Sequence, residues 1–483
     1  MALPGLSLPG LGTPQTTQTP LSATHQANVE RSLRKEDLGP QTEWRFEAGF
    51  SQAYNVRLLN GHAELFGVEL ATNRSYNLSG CKGAIFTWQG CQLEISGDAE
   101  SEYSAQETEY ATEWLNVHGM LESARDASPN DGPKVLIVGP DHAGKSSLVR
   151  SVAAWAVKVG RTPTIMNLDP REGILAPPAS LTAATVGSQL DVENSYGISS
   201  VSGPTLTSVT TPLIYHFPYV SPSDKADVFK AITTRMALSV TNKLEEDASA
   251  RQAGLIVDTP GALNDPKSNY DLINHIVSEF SINLILTIGS ERLFNDMSRR
   301  FSTGRSSEEA IPVLRITKPG GAVERDTVYM KQLRTQQIRQ YFFGTAKESL
   351  SPHSHSVTFG ELNVYRAKSE ADTGAVTAKS TFGAQPDDED DLPYANPLQR
   401  SSFTYEKTAP SAAMTGSLLA IKFCSGNSDE ATVRDSAVMG FLYVAEVDEP
   451  RKKVRFLAPH PQRWGDRALV WGSWPEAVAD LVT

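Results

Sequence analysis

Short runs in which apolar and polar residues alternate dominate the chain from Glu43 to about Tyr103. Turn-forming pairs separate these runs, among them Asn60-Gly61, Ser79-Gly80 and Gln89-Gly90. Alternation with a period of two places one face of each strand against a core, and such pairs reverse the chain. The pattern predicts a small all-β domain whose strands are WRFEAGF, AYNVRLLNG, AELFGVEL, RSYNL, AIFTWQG and CQLEISG.

Continuous apolar runs replace the alternating ones between about residues 134 and 289. Four of them are typical of buried strands: KVLIVG, TPTIMNLD, GLIVDTPG and INLILTIG. The run SLVRSVAAWAVKVG instead repeats its apolar residues at helical spacing, with one face formed by Leu148, Val152, Trp155, Ala156 and Val159. Apolar strands that alternate with helices indicate an α/β domain, with a parallel sheet covered by helices on both faces.

Strand-like runs return after about Gly344, as SVTFGELNVYRA, GSLLAIKFC, GFLYVAEVD and KVRFLAP. They predict a small C-terminal β-rich domain, interrupted by a polar segment that contains the acidic run DDEDDLP. The first ~35 residues are rich in Pro, Thr, Gly and Ser, which is typical of a disordered tail. The predicted organisation is a tail at 1–37, a β domain at 38–127, an α/β domain at 128–345 and a C-terminal domain at 346–483, with an acidic disordered insertion at about 369–402.

Charge and cysteine content narrow the class of protein. The formal net charge of −12 argues against a protein that coats nucleic acid by bulk electrostatics. Three cysteines without C-x-x-C spacing argue against a zinc site or a disulfide framework, and favour the cytosol or the nucleus. The N-terminus lacks the basic and apolar parts of a signal peptide, and no apolar run approaches the ~18 residues that span a bilayer, so we expect a soluble intracellular protein.

The strongest chemical signal is GPDHAGKSS, residues 139–147, which fits G-x-x-x-x-G-K-[ST] between a buried strand and an amphipathic helix. Gly139 and Gly144 would let the backbone turn so that its N–H groups point at phosphate oxygens. The start of the helix adds its positive dipole end. Lys145 would reach the β- and γ-phosphates, and the Ser146 hydroxyl would ligate Mg²⁺. The motif predicts nucleotide binding.

Two carboxylates stand where a P-loop needs an acidic partner for Mg²⁺, because Asp169 and Asp258 each end a buried strand. Each could instead be a turn former, since Asp-Pro and Thr-Pro-Gly are common turn sequences. We favour a metal or water role for at least one of them. The nearest match to the guanine signature N-K-x-D is residues 242–245, NKLE, which ends in Glu and follows a helical stretch. Adenine is therefore favoured, and a regulatory GTPase is disfavoured.

Several longer motifs give the chain a resemblance to a known family: AELFGVEL, KGAIFTWQG, GPDHAGKSS, MNLDP, GLIVDTPG, SERLFNDM, KPGGAVERD and IRQYFFG. Over roughly residues 40–480 it resembles the polynucleotide 5′-hydroxyl kinase family, and within it the fungal ATP-binding subunits of mRNA cleavage and polyadenylation factor IA. The resemblance implies bound ATP with Mg²⁺ and a β domain that closes over the adenine. It implies that ATP is bound by Glu43, Lys82, His142, Ala143, Gly144, Lys145, Ser146 and Ser147.

The turn after Asp169 departs from the active kinases of that family, which carry L-D-x-G-Q-G and use the Asp to accept the proton of an RNA 5′-hydroxyl. This chain continues with Pro170, Arg171, Glu172 and Gly173, so a cation and a carboxylate replace a glycine and a glutamine. The kinases also need a lid arginine to steady developing charge. The stretch SERLFNDMSRRFSTGR offers four alternatives for it: Arg292, Arg299, Arg300 and Arg305.

Two hypotheses follow from the resemblance. In the first, the protein is a nuclear structural subunit of the pre-mRNA 3′-end cleavage and polyadenylation machinery, required for cleavage coupled to polyadenylation, which holds ATP without turnover and has no catalytic residue. Its implied partners are the large cleavage factor IA subunit that binds the RNA polymerase II tail and other 3′-end processing factors, with RNA contacted indirectly or weakly and no membrane.

In the second hypothesis, the protein is an active ATP-dependent RNA 5′-hydroxyl kinase, with Asp169 as the base and Lys145 as the phosphate clamp. The replacement of Gly-Gln by Arg171-Glu172 separates the two, and it favours the structural subunit.

Overall fold

The computed structural model describes residues 33–194, 209, 211–302, 310–368, 405–461, 464–479 and 481. The predicted acidic insertion, 369–402, and residues 1–32 of the predicted tail lie outside these ranges. The described residues form a β-sandwich, a central α/β unit and a C-terminal sheet, in that order along the chain. This order confirms the predicted fold class.

Two antiparallel sheets build the N-terminal sandwich. Its strands are β1 (Leu33–Leu38), β2 (Thr42–Glu47), β3 (Asn55–Gly61), β4 (Glu64–Leu65), β5 (Val68–Glu69), β6 (Ser75–Asn77), β7 (Lys82–Thr87), β8 (Cys91–Ser96) and β9 (Ser101–Ala105). One sheet has the order β1-β8-β3-β6, and the other β5-β4-β7-β2-β9. Alternate residues such as Val56, Leu58, Leu93 and Ile95 are buried, because the two-residue period points them at one shared core.

The first strand begins at Leu33, so the prediction of a disordered tail is wrong for residues 33–37. Strand β1 pairs antiparallel with β8, from Leu33 opposite Ser96 to Leu38 opposite Cys91. Its sequence, LRKEDL, is too charged to resemble a buried strand. An edge strand needs only one neighbour and can keep its charged side chains in water, which explains why the sequence pattern concealed it.

A seven-stranded sheet forms the centre of the molecule. Its strands are β10 (Lys134–Val138), β11 (Thr164–Asn167), β12 (Ser180–Thr185), β13 (Leu213–His216), β14 (Leu255–Asp258), β15 (Leu284–Ile288) and β16 (Val313–Ile316). They lie in the order β13-β12-β11-β14-β10-β15-β16, and β11, β14, β10, β15 and β16 are parallel neighbours. Strand β12 is antiparallel to both of its neighbours, so the sheet is mixed and not parallel throughout.

Among the described residues, seven α-helices accompany the sandwich and this sheet: α1 (Glu109–Ala127), α2 (Lys145–Lys158), α3 (Ala226–Glu246), α4 (Ala248–Ala253), α5 (Asp271–Glu279), α6 (Glu291–Met297) and α7 (Thr327–Phe343). Alternate residues of β10 point to opposite faces: Val135 and Ile137 share a core with α1 and α2, whereas Leu136 and Val138 share one with α3 and α5. Within the described ranges, none of the helices is long and apolar enough to cross a bilayer.

The sandwich is docked on α2 through a close backbone approach. Gly67 has φ of +78°, and a Cβ at this position would lie 2.7 Å from the backbone oxygen of Ser151, so a side chain would push the two units apart. Beside it, the indole N–H of Trp155 donates to Glu64 Oε2 at 3.1 Å. The sandwich therefore forms one wall of whatever lies at the N-terminus of α2.

The C-terminal sheet has the order β17-β22-β21-β20-β23-β18-β19. Its strands are β17 (His353–Thr358), β18 (Asn363–Ala367), β19 (Tyr405–Thr408), β20 (Leu418–Ser425), β21 (Val438–Asp448), β22 (Lys453–Ala458) and β23 (Arg467–Trp471). A short helix, α8 (Glu430–Asp435), lies between β20 and β21. The backbone N–H of Phe441 donates to the Tyr341 hydroxyl of α7 at 3.0 Å, and residues of both share a core. Helix α7 thus connects this sheet to the central unit.

A fully buried lysine lies in this sheet, and it leads to a first prediction. Burial lowers the pKa of Lys422 to about 7, against the opposing influence of Cys424 and Asp435. Because this pKa is lower in the folded than in the unfolded state, where it is about 10.4, protonation favours unfolding. The free-energy cost of burying the protonated lysine is fully present below about pH 7 and disappears as the pH rises toward 10.

We expect Lys422→Met to raise the free energy of unfolding by ~2 kcal/mol at pH 7, because methionine keeps the buried chain without the charge. The gain should shrink between pH 7 and pH 9.5. Denaturant unfolding at both pH values measures it, with Lys453→Met on an exposed position of β22 as the control. A wild type whose stability follows the same pH dependence as the Lys422→Met variant would contradict the prediction.

Candidate nucleotide-binding site

The P-loop lies between β10 and α2, at the C-terminal end of β10. Gly144 immediately precedes α2 and has φ of +92°, a left-handed conformation that favours glycine, and it turns the chain into the helix. Lys145 is buried, and its Nζ donates to the backbone oxygens of Gly139 at 3.0 Å and Pro140 at 2.7 Å. The ammonium group is thereby held over the loop that its own backbone forms.

A cavity of about 1430 Å³ opens above this loop. Residues 142–147 all line it, and so do Lys82 and Asp169. The N-terminal sandwich and α1 form one wall, through residues 79–84, Tyr110 and Trp114, and the loop 319–326 closes part of another. The structure therefore brings together seven of the eight residues expected to contact ATP, and places the start of a helix at the bottom of the cavity.

Glu43 is the eighth of those residues, and its position differs from the rest. Its side chain is fully buried, and it is not among the residues that line the cavity. Its carboxylate accepts hydrogen bonds from Arg45 and from the Tyr110 hydroxyl. Tyr110 does line the cavity and packs edge-on against Trp114, with ring centroids 4.9 Å apart. Glu43 thus supports the wall through Tyr110.

Lys82 lies on the same wall and is held by three contacts. Its Nζ donates to Glu47 Oε2 at 2.6 Å and to the Glu324 backbone oxygen at 3.3 Å, and it lies 5.1 Å from the centre of the Tyr329 ring. The contacts with Glu324 and Tyr329 join the sandwich to α7 and to the loop that precedes it. The aromatic residues Tyr110 and Trp114 were missed in the sequence, because α1 follows the last alternating strand in a stretch that looked merely polar.

Asp169 is engaged by its near neighbour Arg171. The Arg171 side chain donates from Nε to Asp169 Oδ1 at 3.0 Å and from Nη2 to Oδ2 at 2.8 Å, and its backbone N–H adds a bond to Oδ1 at 2.9 Å. Both carboxylate oxygens therefore already accept hydrogen bonds. These three bonds from one residue leave at most one of the roughly four lone-pair sites of the carboxylate free.

Arg171 also reaches the P-loop itself. Its Nη1 and Nη2 atoms donate to the two carboxylate oxygens of Asp141 at 3.0 and 2.7 Å, and the Gly261 backbone N–H donates to the same carboxylate at 3.0 Å. Hydrogen bonding from Arg171 lowers the pKa of Asp141 to about 2. One guanidinium thus bridges the P-loop to the end of β11, and the sequence motif alone gave no role to Asp141.

Glu172 is paired with a residue far along the chain. It forms an ion pair with Arg325, whose side chain is 27% exposed, whereas that of Glu172 is 14% exposed. Burial opposes ionisation of Glu172, but Arg325 outweighs it and lowers the pKa of this carboxyl. Arg325 also lines the cavity, and it was missed because nothing in the motif KPGGAVERD distinguishes its arginine from a surface charge.

Asp258 offers the features of a metal partner. It ends β14, is 3% exposed, and its Oδ1 atom has no hydrogen-bond partner among the described residues. Burial raises the pKa of Asp258 to about 7, although the neighbouring Ser146 and Lys145 favour the ionised form. An unpartnered buried oxygen beside the P-loop serine fits a Mg²⁺ ion, which usually takes one or two protein ligands and completes its shell with phosphate and water. Among the described residues, no cluster of three or more His, Cys, Asp or Glu side chains could hold a metal ion.

The candidate lid arginines lie elsewhere. Arg292 and Arg299 are more than three-quarters exposed and approach Asp296, at 3.9 and 3.3 Å. Arg300 donates to Asn269 Oδ1 and lies 5.6 Å from the centre of the Tyr270 ring. None of the three lines the cavity, and Arg305 lies outside the described residues. Among the described arginines, Arg150, Arg171, Arg325 and Arg334 line it instead.

Comparison with known proteins agrees with this geometry. Residues 139–344 match the family described as mRNA cleavage and polyadenylation factor CLP1 P-loop, residues 37–128 the N-terminal beta-sandwich domain of polyadenylation factor, and residues 350–476 the pre-mRNA cleavage complex II protein Clp1. The mRNA cleavage and polyadenylation factor clp1 of Botryotinia fuckeliana is 44% identical, over 99% of this chain and 100% of the relative. The corresponding factor of Phaeosphaeria nodorum is 43% identical over the same shares.

Two solved structures of Clp1p with Pcf11p have the same fold as this chain. Wild-type Clp1p in complex with Pcf11p aligns with a TM-score of 0.80 at 25% identity, over 92% of this chain and 98% of that one. A second structure, of an interface between Pcf11p and Clp1p, aligns with a TM-score of 0.79 at 24% identity and supports the fold.

The fold and the cavity define a P-loop nucleotide-binding protein whose α/β core is flanked by two β-rich units. The chain belongs to the family of mRNA cleavage and polyadenylation factor Clp1. The predicted resemblance is therefore confirmed, and the comparisons favour the cleavage factor over the RNA kinase.

Proposed function

We propose that this chain holds ATP with Mg²⁺ in the P-loop cavity, without transferring its phosphate, as a structural subunit of the nuclear pre-mRNA 3′-end cleavage and polyadenylation machinery. The observation that carries the proposal is the ion pair in which Asp169 accepts hydrogen bonds from Arg171. A general base must have a free lone pair within reach of the proton that it abstracts. Arg171 donates three hydrogen bonds to the Asp169 carboxylate and also pairs with Asp141, so at most one of about four lone-pair sites of Asp169 is left for an acceptor hydroxyl, beside a bulky cation.

The cavity suggests how each group would hold the nucleotide. The backbone of residues 142–147 and Lys145 would bind the phosphates, with the positive end of the α2 dipole behind them. Ser146 and Asp258 would hold Mg²⁺, because Asp169 is already paired. Tyr110, Trp114 and Lys82 lie on the wall where the base would be enclosed, supported by Glu43.

A nucleotide held in this way acts on stability. It would contact the sandwich, the P-loop and the loop before α7 together, so it binds only the closed, folded arrangement. At a thousandfold excess over its dissociation constant, such a ligand adds on the order of 4 kcal/mol to the free energy of unfolding. We infer that ATP fixes the relative position of the three units and thereby the surface that they offer to other subunits.

The partner that the family indicates is a segment of the Pcf11 type. Clp1p is solved in complex with Pcf11p, and this chain aligns over 92% of its own length with that structure. We propose that this chain binds the corresponding large subunit, which also contacts the RNA polymerase II tail, and that RNA is reached mainly through the assembly. A net charge of −12 agrees with indirect contact to RNA. This role places the protein in the nucleus.

The proposal is tested on protein purified without added nucleotide. The protein is denatured and the released nucleotide is identified by chromatography, while intact protein is incubated with γ-labelled ATP and a 5′-hydroxyl RNA. We expect about one ATP per chain and no labelled RNA. Labelled RNA that disappears in Asp169→Ala would make the protein a kinase and overturn the proposal.

We expect the rate of ATP release to depend on Mg²⁺. Asp141, Asp169 and Glu172 line the cavity and are paired with Arg171 or Arg325, whereas Asp258, beside Ser146, has an oxygen without a partner among the described residues. A metal ion held there would offset the repulsion between this carboxylate and a triphosphate. We expect chelation of Mg²⁺ to speed ATP release by at least about tenfold, measured by chase with unlabelled ATP.

Asp258→Asn should release ATP quickly even with Mg²⁺ present, whereas Asp265→Asn should behave as the wild type. Asp265 follows the same strand but accepts a hydrogen bond from the backbone N–H of Lys267 in an exposed turn. Equal release with and without chelator in the wild type would refute a metal at this site.

A further inference from the structure

The turn 169–173 is held by the C-terminal end of the chain as well as by the P-loop. The indole N–H of Trp474 donates to the backbone oxygen of Pro170 at 3.2 Å, across 304 positions of sequence. The Trp474 side chain is buried, and the same oxygen accepts from the Ala179 N–H at 2.8 Å. Both lone pairs of the Pro170 carbonyl are therefore used, one of them by a residue beyond the last strand.

Trp474 is itself firmly placed. The guanidinium of Arg334, on α7, lies 4.5 Å from the centre of the indole ring, and its Nε donates to Glu476 Oε2 at 2.8 Å. A cation over an aromatic face and an ion pair to the next turn of the chain fix the ring in one orientation. Trp474, Arg334 and Glu476 all line the cavity that contains the P-loop, and their mutual contacts aim the indole N–H at Pro170.

Helix α7 holds the other end of the same turn. The Gly173 N–H donates to Gln337 Oε1 at 3.1 Å, and Gln337 Nε2 donates to the Gly173 oxygen at 3.0 Å. When the Glu172–Arg325 pair and the bonds from Arg171 to Asp141 and Asp169 are included, every residue from 169 to 173 contacts a specific partner. The turn is bounded on one side by the P-loop and on the other by α7 and Trp474.

The backbone after the turn explains why so many contacts are needed. Leu175 and Ala179 have φ of +68° and +67°, left-handed values that cost non-glycine residues free energy, and both side chains are buried. Such conformations persist where the surroundings determine them from several directions. A weakened contact to Pro170 would therefore let the segment 170–179 relax and carry Asp169 and Arg171 with it.

We propose that Trp474 is a positioning residue of the nucleotide site, which holds the Pro170 carbonyl and so keeps the Arg171 guanidinium, held by Asp169 and Asp141, beside the terminal phosphate of the nucleotide. This inference rests on the proposed binding of ATP at the P-loop. It makes the C-terminal unit a determinant of how long ATP stays bound, although no residue of that unit belongs to the P-loop motif. It also gives a specific signature, since ADP lacks the phosphate that the turn would contact.

The test compares the release of ATP and ADP from Trp474→Phe and Trp464→Phe. Phenylalanine keeps a six-membered aromatic ring at each position and removes the pyrrole ring with its N–H. Trp464 serves as the control because it packs against His355 and Phe456 inside the C-terminal unit. In Trp474→Phe we expect ATP to dissociate about fivefold faster, as loss of one buried hydrogen bond implies, and ADP to change by less than about twofold. Trp464→Phe should alter neither rate.

A second variant and a double variant keep the result unambiguous. Glu476→Gln loosens Arg334 without touching the turn and should show the same ATP-selective acceleration, to a smaller extent, even where Trp474→Phe folds poorly. Adding Trp474→Phe to Arg171→Ala should bring no further acceleration, because both changes release the same turn. Equal acceleration of ATP and ADP, or unchanged ATP release, would overturn the inference. A wild type that binds neither nucleotide would instead refute the proposed function.

Discussion

Replacing Lys145 by alanine is expected to empty the nucleotide site. Its ammonium group lies at the mouth of the P-loop, and loss of its charge-assisted bonds to phosphate should weaken ATP binding by roughly 100-fold or more. Protein purified from cells should then carry almost no ATP, and should lose the stabilisation that bound nucleotide provides. Chromatography of released nucleotide and thermal unfolding with and without added ATP measure both effects.

Lys158→Ala is the matched control for this change. Lys158 ends the same helix and pairs with Glu69 at the surface, so its removal should leave the nucleotide content unchanged and the stability nearly so. A Lys145→Ala protein that still carries one ATP per chain would show that the P-loop is not what retains the nucleotide.

Arg325→Ala is expected to have the largest effect on the stability of the nucleotide-free protein. It leaves the Glu172 carboxylate, which is 14% exposed, without its cation. Breaking a buried pair from one side costs more than the pair contributes, and with Arg325 partly exposed we expect a loss of ~2 kcal/mol in the free energy of unfolding. Denaturant unfolding of nucleotide-free protein measures the loss.

Two further variants identify its origin. Arg325→Ala combined with Glu172→Gln should recover about half of the loss, because the unpaired charge is then removed. Arg315→Ala, at an exposed pair with Glu291, should cost less than about 0.5 kcal/mol. If Arg325→Ala costs no more than Arg315→Ala, the Glu172–Arg325 pair does not stabilise the closed turn.

Taken together, the contacts around residues 169–173 separate nucleotide retention from phosphate transfer. The P-loop needs only its own backbone, Lys145 and a metal ion to bind a triphosphate. Transfer needs in addition a free base and an open approach for the acceptor hydroxyl. Arg171 pairs with Asp169 and bridges to Asp141, so we propose that the protein keeps the first ability and that the second is obstructed.

Local sequence signals were sufficient wherever a function depends on consecutive residues. The P-loop could be recognised because a tight turn, a strand before it and a helix after it are all specified within about twenty positions. The alternating runs likewise revealed the sandwich, since a two-residue period is a direct consequence of strand geometry. Strand β1 and the antiparallel β12 were not recognised, because partner strands and not their own patterns determine them.

The sequence by itself therefore determined the three-part fold, the P-loop and the unusual Arg171-Glu172 pair after Asp169. Only the tertiary structure decided which groups meet those residues: Asp141 at 30 positions from Arg171, Arg325 at 153 from Glu172, and Trp474 at 304 from Pro170. Contacts between residues so far apart produce no repeating pattern in the sequence, because the intervening chain can bring its ends together over many different lengths. The chemistry of the turn is local, whereas its rigidity is a property of the whole chain.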